Sequence, residues 1–385
     1  MLTWEYPPRI IGGISRHCEG LAYNLAKKGH NVHVITLEFP GAPHYEERDG
    51  VKIHRVPIEL GHPNFIIWTL IFNHFMEKRV ADISRYEKIN IIHAHDWLVA
   101  PASIDSKHYL GVPLVSTIHS TEVGRAQGIH NSDSFLINGF EWWLTYESKR
   151  VIVASYAMKR EVEEHFRLPS DKVIVIPNGI DISKYEVNNV NRDDVKRRFG
   201  IDPSEKIVLF IGRLAPQKGV KYLIMAAPKI FECHPEARIV IVGNGWIKDY
   251  LCNLAHSTGY SHKILFLGFL SDQDLIKLTL SSDVLVIPSV YEPFGIVALE
   301  GMAAGIPVVA SNVGGLAEII EHDRTGFLAY RENPDSIAWG VNKILSDPGY
   351  AHWLVQNAKR KVYEMYSWEA VARRTIEVYE RTFGE

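Results

Sequence analysis

Apolar positions in this chain recur in two alternating rhythms. Short β-branched runs at residues 31–36, 51–56, 89–93, 113–118, 150–154 and 172–176 read as strands, with helical spacing between them. Residues 15–28 form the clearest of the helices, amphipathic and closed by Gly29. Residues 1–4 read as the tail of a strand whose start is cut short. Strands alternating with helices in this way predict parallel α/β layers. Past Pro177 the composition turns polar over residues 186–198, the mark of a domain junction. A second series then begins, with strands at 206–211, 238–242, 264–267, 284–287, 307–310 and 326–329. Helices are expected between them, at 220–231 and 275–280 for example, and two more at 335–346 and 368–382 close the chain. No short-period repeat or low-complexity tract interrupts the pattern. The expected fold is α/β, two doubly wound Rossmann-like domains facing across a cleft, with ligands beyond the carboxyl ends of the strands. The divisions fall at 1–180, 181–365 and 366–385.

Composition changes this picture little. Over 385 residues, 42 basic side chains stand against 45 acidic ones, a net charge of −3. Nothing therefore draws the chain as a whole to nucleic acid or an anionic membrane. Cys18, Cys233 and Cys252 lie far apart in no metal-binding spacing, which suits a reducing compartment. The N-terminus lacks the basic start and apolar core of a signal peptide. The longest apolar run, residues 65–72, is far short of the ~20 residues that span a bilayer. A soluble, cytoplasmic protein is expected, of undetermined oligomeric state. Residues 64–85 fit a helix packed on a sheet better than one touching a membrane, despite Lys78, Arg79 and Arg85 near Trp68 and Phe72.

Candidate chemistry sits where strands end. Gly12 and Gly13 directly precede a helix, where free amides suit a phosphate or sugar oxygen; a tight structural turn explains them equally well. The spacing is not G-x-G-x-x-G, which weakens a nicotinamide reading. Strand 89–93 runs into His95, Asp96 and Trp97. There Trp97 would stack on a sugar and Asp96 accept from hydroxyls, or else Asp96 caps the next helix. His93 and His95 are taken to point opposite ways on an extended chain, which argues against a shared metal ion. Strand 113–118 leads to His119, placed to donate to a substrate hydroxyl, while Glu122 and Arg125 read as a local ion pair. In the second half, Arg213 and Lys218 flank a turn feeding a helix at Val220, a diphosphate site without Walker A spacing. The turn ending at Gly245 offers a place where a flat base could lie, and Gly314 with Gly315 makes another amide cradle. Asp272 and Asp274 spell Asp-x-Asp, a metal-holding pattern in some sugar transferases. They follow Ser271 at a helix start and read as capping.

Residues 288–305 hold two further carboxylates. Breaks at Pro288 and Pro293 precede a helix at 295–305 whose Ile296, Val297, Ala298, Leu299, Met302, Ala303 and Ala304 make it apolar all round and buried. Gly305 should close it as a left-handed cap. Glu300 lies inside it, so this carboxylate either has a structural partner or faces a polar ligand.

Together these motifs resemble the retaining GT-B glycosyltransferases of family 4 (group 1), above all the glycogen and starch synthase-like members. The resemblance runs along essentially the whole chain. Glu292 and Glu300 match the family's Glu-x7-Glu motif, and Gly212-Arg-Leu-x3-Lys-Gly219 its phosphate-binding loop. His-Ala-His-Asp-Trp97 and Thr-Ile-His-Ser-Thr-Glu122 resemble the acceptor-side motifs of α-glucan synthases. The resemblance implies a nucleotide-sugar donor, ADP-glucose or UDP-glucose, a glucan or oligosaccharide acceptor, and no essential metal or other cofactor. It implies that Arg213 and Lys218 neutralise the leaving diphosphate. Glu292 would hold sugar hydroxyls, helped by the amides of Phe294, Gly295 and the adjoining Ile296, and Glu300 would accept from the ribose. His119 would contact the donor sugar, Gly12 and Gly13 would approach phosphates or acceptor, and His95, Asp96 and Trp97 would line the acceptor side. Residues 368–382 resemble the family's segment that crosses back to the N-terminal domain. Where glucan synthases carry a lysine shortly before the glycine pair, the nearest basic residue here is Arg9. A mannosyl-type transferase for a lipid or small-molecule acceptor and a non-catalytic nucleotide-sugar-binding protein are the alternatives. Retention of both Arg213 and Lys218 speaks against the latter.

Overall fold

The computed structural model describes residues 1–187 and 190–383. Asn188 and Asn189, inside the polar junction read at 186–198, and Gly384 and Glu385, at the end of segment 366–385, lie outside the described residues. The chain divides into two compact units, Met1–Gly179 joined by Trp368–Glu385, and Ile180–Ser367.

The first unit carries two sheets. Strands β1 (Val32–Leu37), β2 (Tyr45–Arg48) and β3 (Val51–Val56) lie in the order β1-β3-β2. Strands β4 (Ile92–His95), β5 (Leu114–Ile118), β6 (Arg150–Val153) and β7 (Val173–Val175) lie parallel in that order. Leu2 links the two sheets through parallel bridges to Ile35 and Ala94. Around it Met1 and Thr3 bond to β1 while Leu2 bonds to β4, the alternation of a central strand. Strand β2 escaped the pattern because none of its residues is buried. It pairs antiparallel with β3 across Asp49 and Gly50, both at positive φ, as a tight hairpin requires. The helix Gly13–Lys27 buries Cys18, Leu21, Ala22 and Leu25, and the helix Trp368–Phe383 adds Val371, Ala372 and Val378 to the same cluster. The Trp368 ring lies so close that a Cβ on Gly20 would meet it at 2.3 Å. The helix Phe65–Ser84 packs on β1 and β3, the sheet-packed alternative.

The second unit is one parallel sheet. Strands β8 (Lys206–Ile211), β9 (Ala237–Val242), β10 (Ile264–Gly268), β11 (Val284–Ile287), β12 (Val308–Ser311) and β13 (Phe327–Ala329) lie in the order β10-β9-β8-β11-β12-β13. The order reverses between β8 and β11, which opens a crevice at their carboxyl ends. The helix Pro348–Met365 escaped the pattern because Pro348 and Gly349 read as a break. In fact Pro348 starts the helix, and the Asp347 carboxylate accepts from the Tyr350 amide at 2.9 Å. Among the described residues no helix is long and apolar enough to cross a membrane.

Candidate active site

The loops leaving β8, β9, β11 and β12 interlock at the point where the strand order reverses. The amide of Leu214 donates to Asn244 O at 2.8 Å, that of Val290 to Gln217 O at 2.8 Å, and that of Gly315 to Glu292 O at 2.9 Å. Side chains are excluded from these approaches. A Cβ on Gly219, whose φ is +65°, would lie 1.9 Å from Pro288 O. One on Gly245 would lie 2.0 Å from Leu214 O. The reading of Gly314 and Gly315 as a free amide cradle is corrected, because the Gly315 amide is used to hold the loop of Glu292.

This interlock sets Lys218 against Glu292. Lys218 ends a short turn, and Gly219 then opens the helix Val220–Cys233. Lys218 Nζ donates to Glu292 Oε2 at 2.7 Å, and Ser289 Oγ donates to the same oxygen at 3.0 Å. Arg213 stands exposed on the same loop. The next helix, Ile296–Ala304, is bounded by Gly295 at φ +109° and Gly305 at φ +76°. The expectation that it is buried all round is corrected. Ile296, Val297 and Glu300 are only half-buried, and their spacing puts them on one face, so Glu300 lies on the helix's open side. Phe294 is buried edge-on against Tyr366. Asp272 and Asp274 stand in the first turn of a helix capped by Ser271, whose Oγ accepts from the Asp274 amide at 3.2 Å, and Asp274 pairs with Arg198 at 2.9 Å.

In the first unit three histidines converge. His17 comes from the helix Gly13–Lys27, His95 ends β4, and His119 follows β5. Their ring centroids lie 4.7 Å (His17–His119), 5.3 Å (His17–His95) and 5.4 Å (His95–His119) apart. His93 lies on the same side, its ring 4.3 Å from that of His95. Residues two apart on a strand share a face, so the reading that His93 and His95 diverge is corrected, and the argument against a shared ion falls with it. His93 is engaged by Tyr379 Oη at 2.6 Å and Thr117 Oγ1 at 2.7 Å. Burial holds the histidines neutral: it lowers His17 and His119 to about 3, and His93 and His95 well below the usual range.

Behind them stands a supporting wall. Asp96 caps nothing; its carboxylate accepts from the His119 amide at 2.7 Å, and burial raises it to about 6. Trp97 stacks on Phe140 with centroids 6.1 Å apart and is 4% exposed. His95, Asp96 and Trp97 are all buried, so their placement on an acceptor surface is corrected: His95 and Asp96 contact His119, and Trp97 packs in an aromatic cluster with Phe65 and Phe140. Gly12 is corrected as well. Its amide and that of Ile11 donate to Glu5 Oε2 at 2.9 and 2.6 Å, so this turn takes its anion from the chain itself. Gly13 stays exposed, and Arg9 lies 5.3 Å over the Trp4 ring. The Glu122–Arg125 pair is present at 3.0 Å, extended by a contact of 2.8 Å from Arg125 to the buried Glu141. His17, Glu5 and Glu141 were missed. Of these only His17 carried a signal, four residues after Gly13 on the helix face turned to the strand ends.

Known proteins share this architecture. Residues 11–184 match the model for Glycosyltransferase Family 4, and residues 191–361 that for Glycosyl transferases group 1. An uncharacterized glycosyltransferase of Methanocaldococcus jannaschii is 48% identical, with 98% of this chain and 97% of that protein covered. A glycogen synthase of Mycobacterium tuberculosis is 35% identical, with 98% and 93% covered. Among solved structures, sucrose-phosphate synthase from Thermosynechococcus elongatus matches with a TM-score of 0.83 at 24% identity, covering 97% of this chain and 94% of its own. The chain therefore belongs to the family 4, group 1 glycosyltransferases, enzymes of the GT-B fold with two Rossmann-like domains.

Proposed function

We propose that this enzyme is a retaining hexosyltransferase that moves glucose from ADP-glucose or UDP-glucose to a glucan or oligosaccharide, without a catalytic metal. The observation that carries the reading is the Lys218–Glu292 pair at the strand-order reversal, with Arg213 exposed on the same loop. The likeness to a glycogen synthase favours glucose and a glucan acceptor. When the donor diphosphate arrives, Lys218 exchanges Glu292 for phosphate oxygens and Arg213 folds onto them. Glu292 is thereby released to accept from sugar hydroxyls, beside the backbone at Phe294, Gly295 and Ile296. Glu300, on the open helix face, accepts from the ribose, and the turn at Gly245 receives the base. Neutral His119 hydrogen-bonds a sugar hydroxyl, with Gly13 near the phosphates or acceptor.

Transfer then breaks the bond from the anomeric carbon to phosphate oxygen and forms one to the acceptor oxygen on the same face. The acceptor's proton passes to the leaving phosphate. Charge stabilisation by Lys218 and Arg213 is the main contribution of the protein.

The test is a screen of ADP-glucose, UDP-glucose and GDP-mannose against glycogen, maltooligosaccharides and lipid acceptors, with the product anomer read by NMR. An α-linked glucan product is expected; a β-anomer overturns retention, and product only on lipid overturns the glucan reading. Arg213→Ala and Lys218→Ala should each lose about two decades or more in kcat. Near-wild-type turnover in both would sink the diphosphate assignment.

A further inference from the structure

We propose that His17, His95 and His119 form a binding site for a late transition-metal dication of the zinc class. Each residue offers a ring nitrogen, and the three nitrogens lie within 4.8 Å of one another. Two imidazoles on one tetrahedral zinc, with bonds of about 2.0–2.1 Å, place their nitrogens about 3.4 Å apart. His95 Nδ1 and His119 Nε2 already lie 3.1 Å apart, so rotation of those two rings toward a common point and an inward swing of His17 complete the set.

The orientation of His17 is set for this. Its Nδ1 lies 2.8 Å from Asn178 Oδ1, and an amide oxygen accepts, so Nδ1 carries the hydrogen and Nε2 presents a lone pair. That Nε2, the atom offered to the metal, is buried without a hydrogen-bond partner. Buried nitrogens without partners are uncommon, and a ligating histidine held from behind by an amide or carboxylate is the usual support of a metal site. Without metal, His95 and His119 share one hydrogen between the facing nitrogens. When a cation takes that place, the hydrogen returns on the outer nitrogen of the same ring, so all three bind as neutral imidazoles.

The donor set decides the metal. Three imidazoles with no carboxylate suit Zn²⁺, Ni²⁺ or Cu²⁺ and not Mg²⁺ or Ca²⁺, which take oxygen ligands. The carboxylate of Asp96, next to His95 in the chain, accepts from the His119 amide. Given the proposed sugar contact of His119, the bound cation competes with donor sugar and inhibits transfer.

The test uses the full chain stripped by chelator and titrated with Co²⁺ alone. One equivalent should give visible d–d bands that Zn²⁺ abolishes. His17→Gln should weaken Co²⁺ binding tenfold or more, and Asn178→Ala, which leaves all three ligands in place, should weaken it by about tenfold. His44→Gln, at an exposed histidine, should leave it unchanged. Far-UV circular dichroism checks that each variant folds. No bands at one equivalent, or bands of wild-type affinity in either His17→Gln or Asn178→Ala, overturn the site. Full transferase activity with the site saturated by Zn²⁺ overturns inhibition and leaves the Co²⁺ result to decide binding.

Discussion

Lys218 and Glu292 sit 2.7 Å apart with side chains 25% and 11% exposed, so neither is sealed from water. A pair so placed contributes about 1 kcal/mol or less to stability. Glu292→Gln should therefore move the urea midpoint little while lowering kcat, and loss of both together would make the pair structural. Gly219 is the opposite case. Its positive φ and the 1.9 Å approach of Pro288 O leave no room for a methyl group, so Gly219→Ala should cost about 2 kcal/mol or more, read by urea unfolding. Residues like Lys218 and Glu292 were legible because their spacing along the chain is itself a motif. His17 carried only its place four residues after Gly13, because its partner Asn178 is 161 residues away. Trp97 was misread for a related reason: standing at a strand end says nothing of whether Phe140 covers the ring.

Strand β1 makes a pH-sensitive contact with β3. His33 Nδ1 meets His54 Nε2 at 3.0 Å, while His33 Nε2 faces Glu87 at 3.2 Å. Burial, then the neighbouring His33, lowers His54 to about 4, with Arg79, Lys52 and the terminal amine acting in the same direction. A histidine with a depressed folded pKa supports the fold above about 6.5 and loses that support as pH falls toward about 4. His54→Gln should flatten the acid limb of the urea midpoint over that window, and an unchanged slope rejects the assignment. The strands themselves were legible wherever one face was buried. Tyr45–Arg48 was not, because its support comes from β3 and a hairpin turn.

At the scale of the whole chain, one unit is continuous in sequence and the other is not. Residues 180–367 hold a six-stranded sheet, and among the described residues its core, with Phe210, Leu223, Ile241 and Val286, draws on none outside that span. Residues 1–179 lack part of theirs, because Val371, Ala372 and Val378 come from the last helix and Trp368 fills the space against Gly20 and Gly179. Burying those side chains contributes about 5 kcal/mol, at the lower end of a whole domain's stability. Expressed alone, residues 180–367 should unfold in one cooperative urea transition. Residues 1–179 should not, until a peptide of residues 368–385 is supplied. A cooperative transition from 1–179 alone would mean that the last helix decorates the first unit without completing it. Failure of 180–367 to fold would mean that the second unit depends on the first for more than its chain connection.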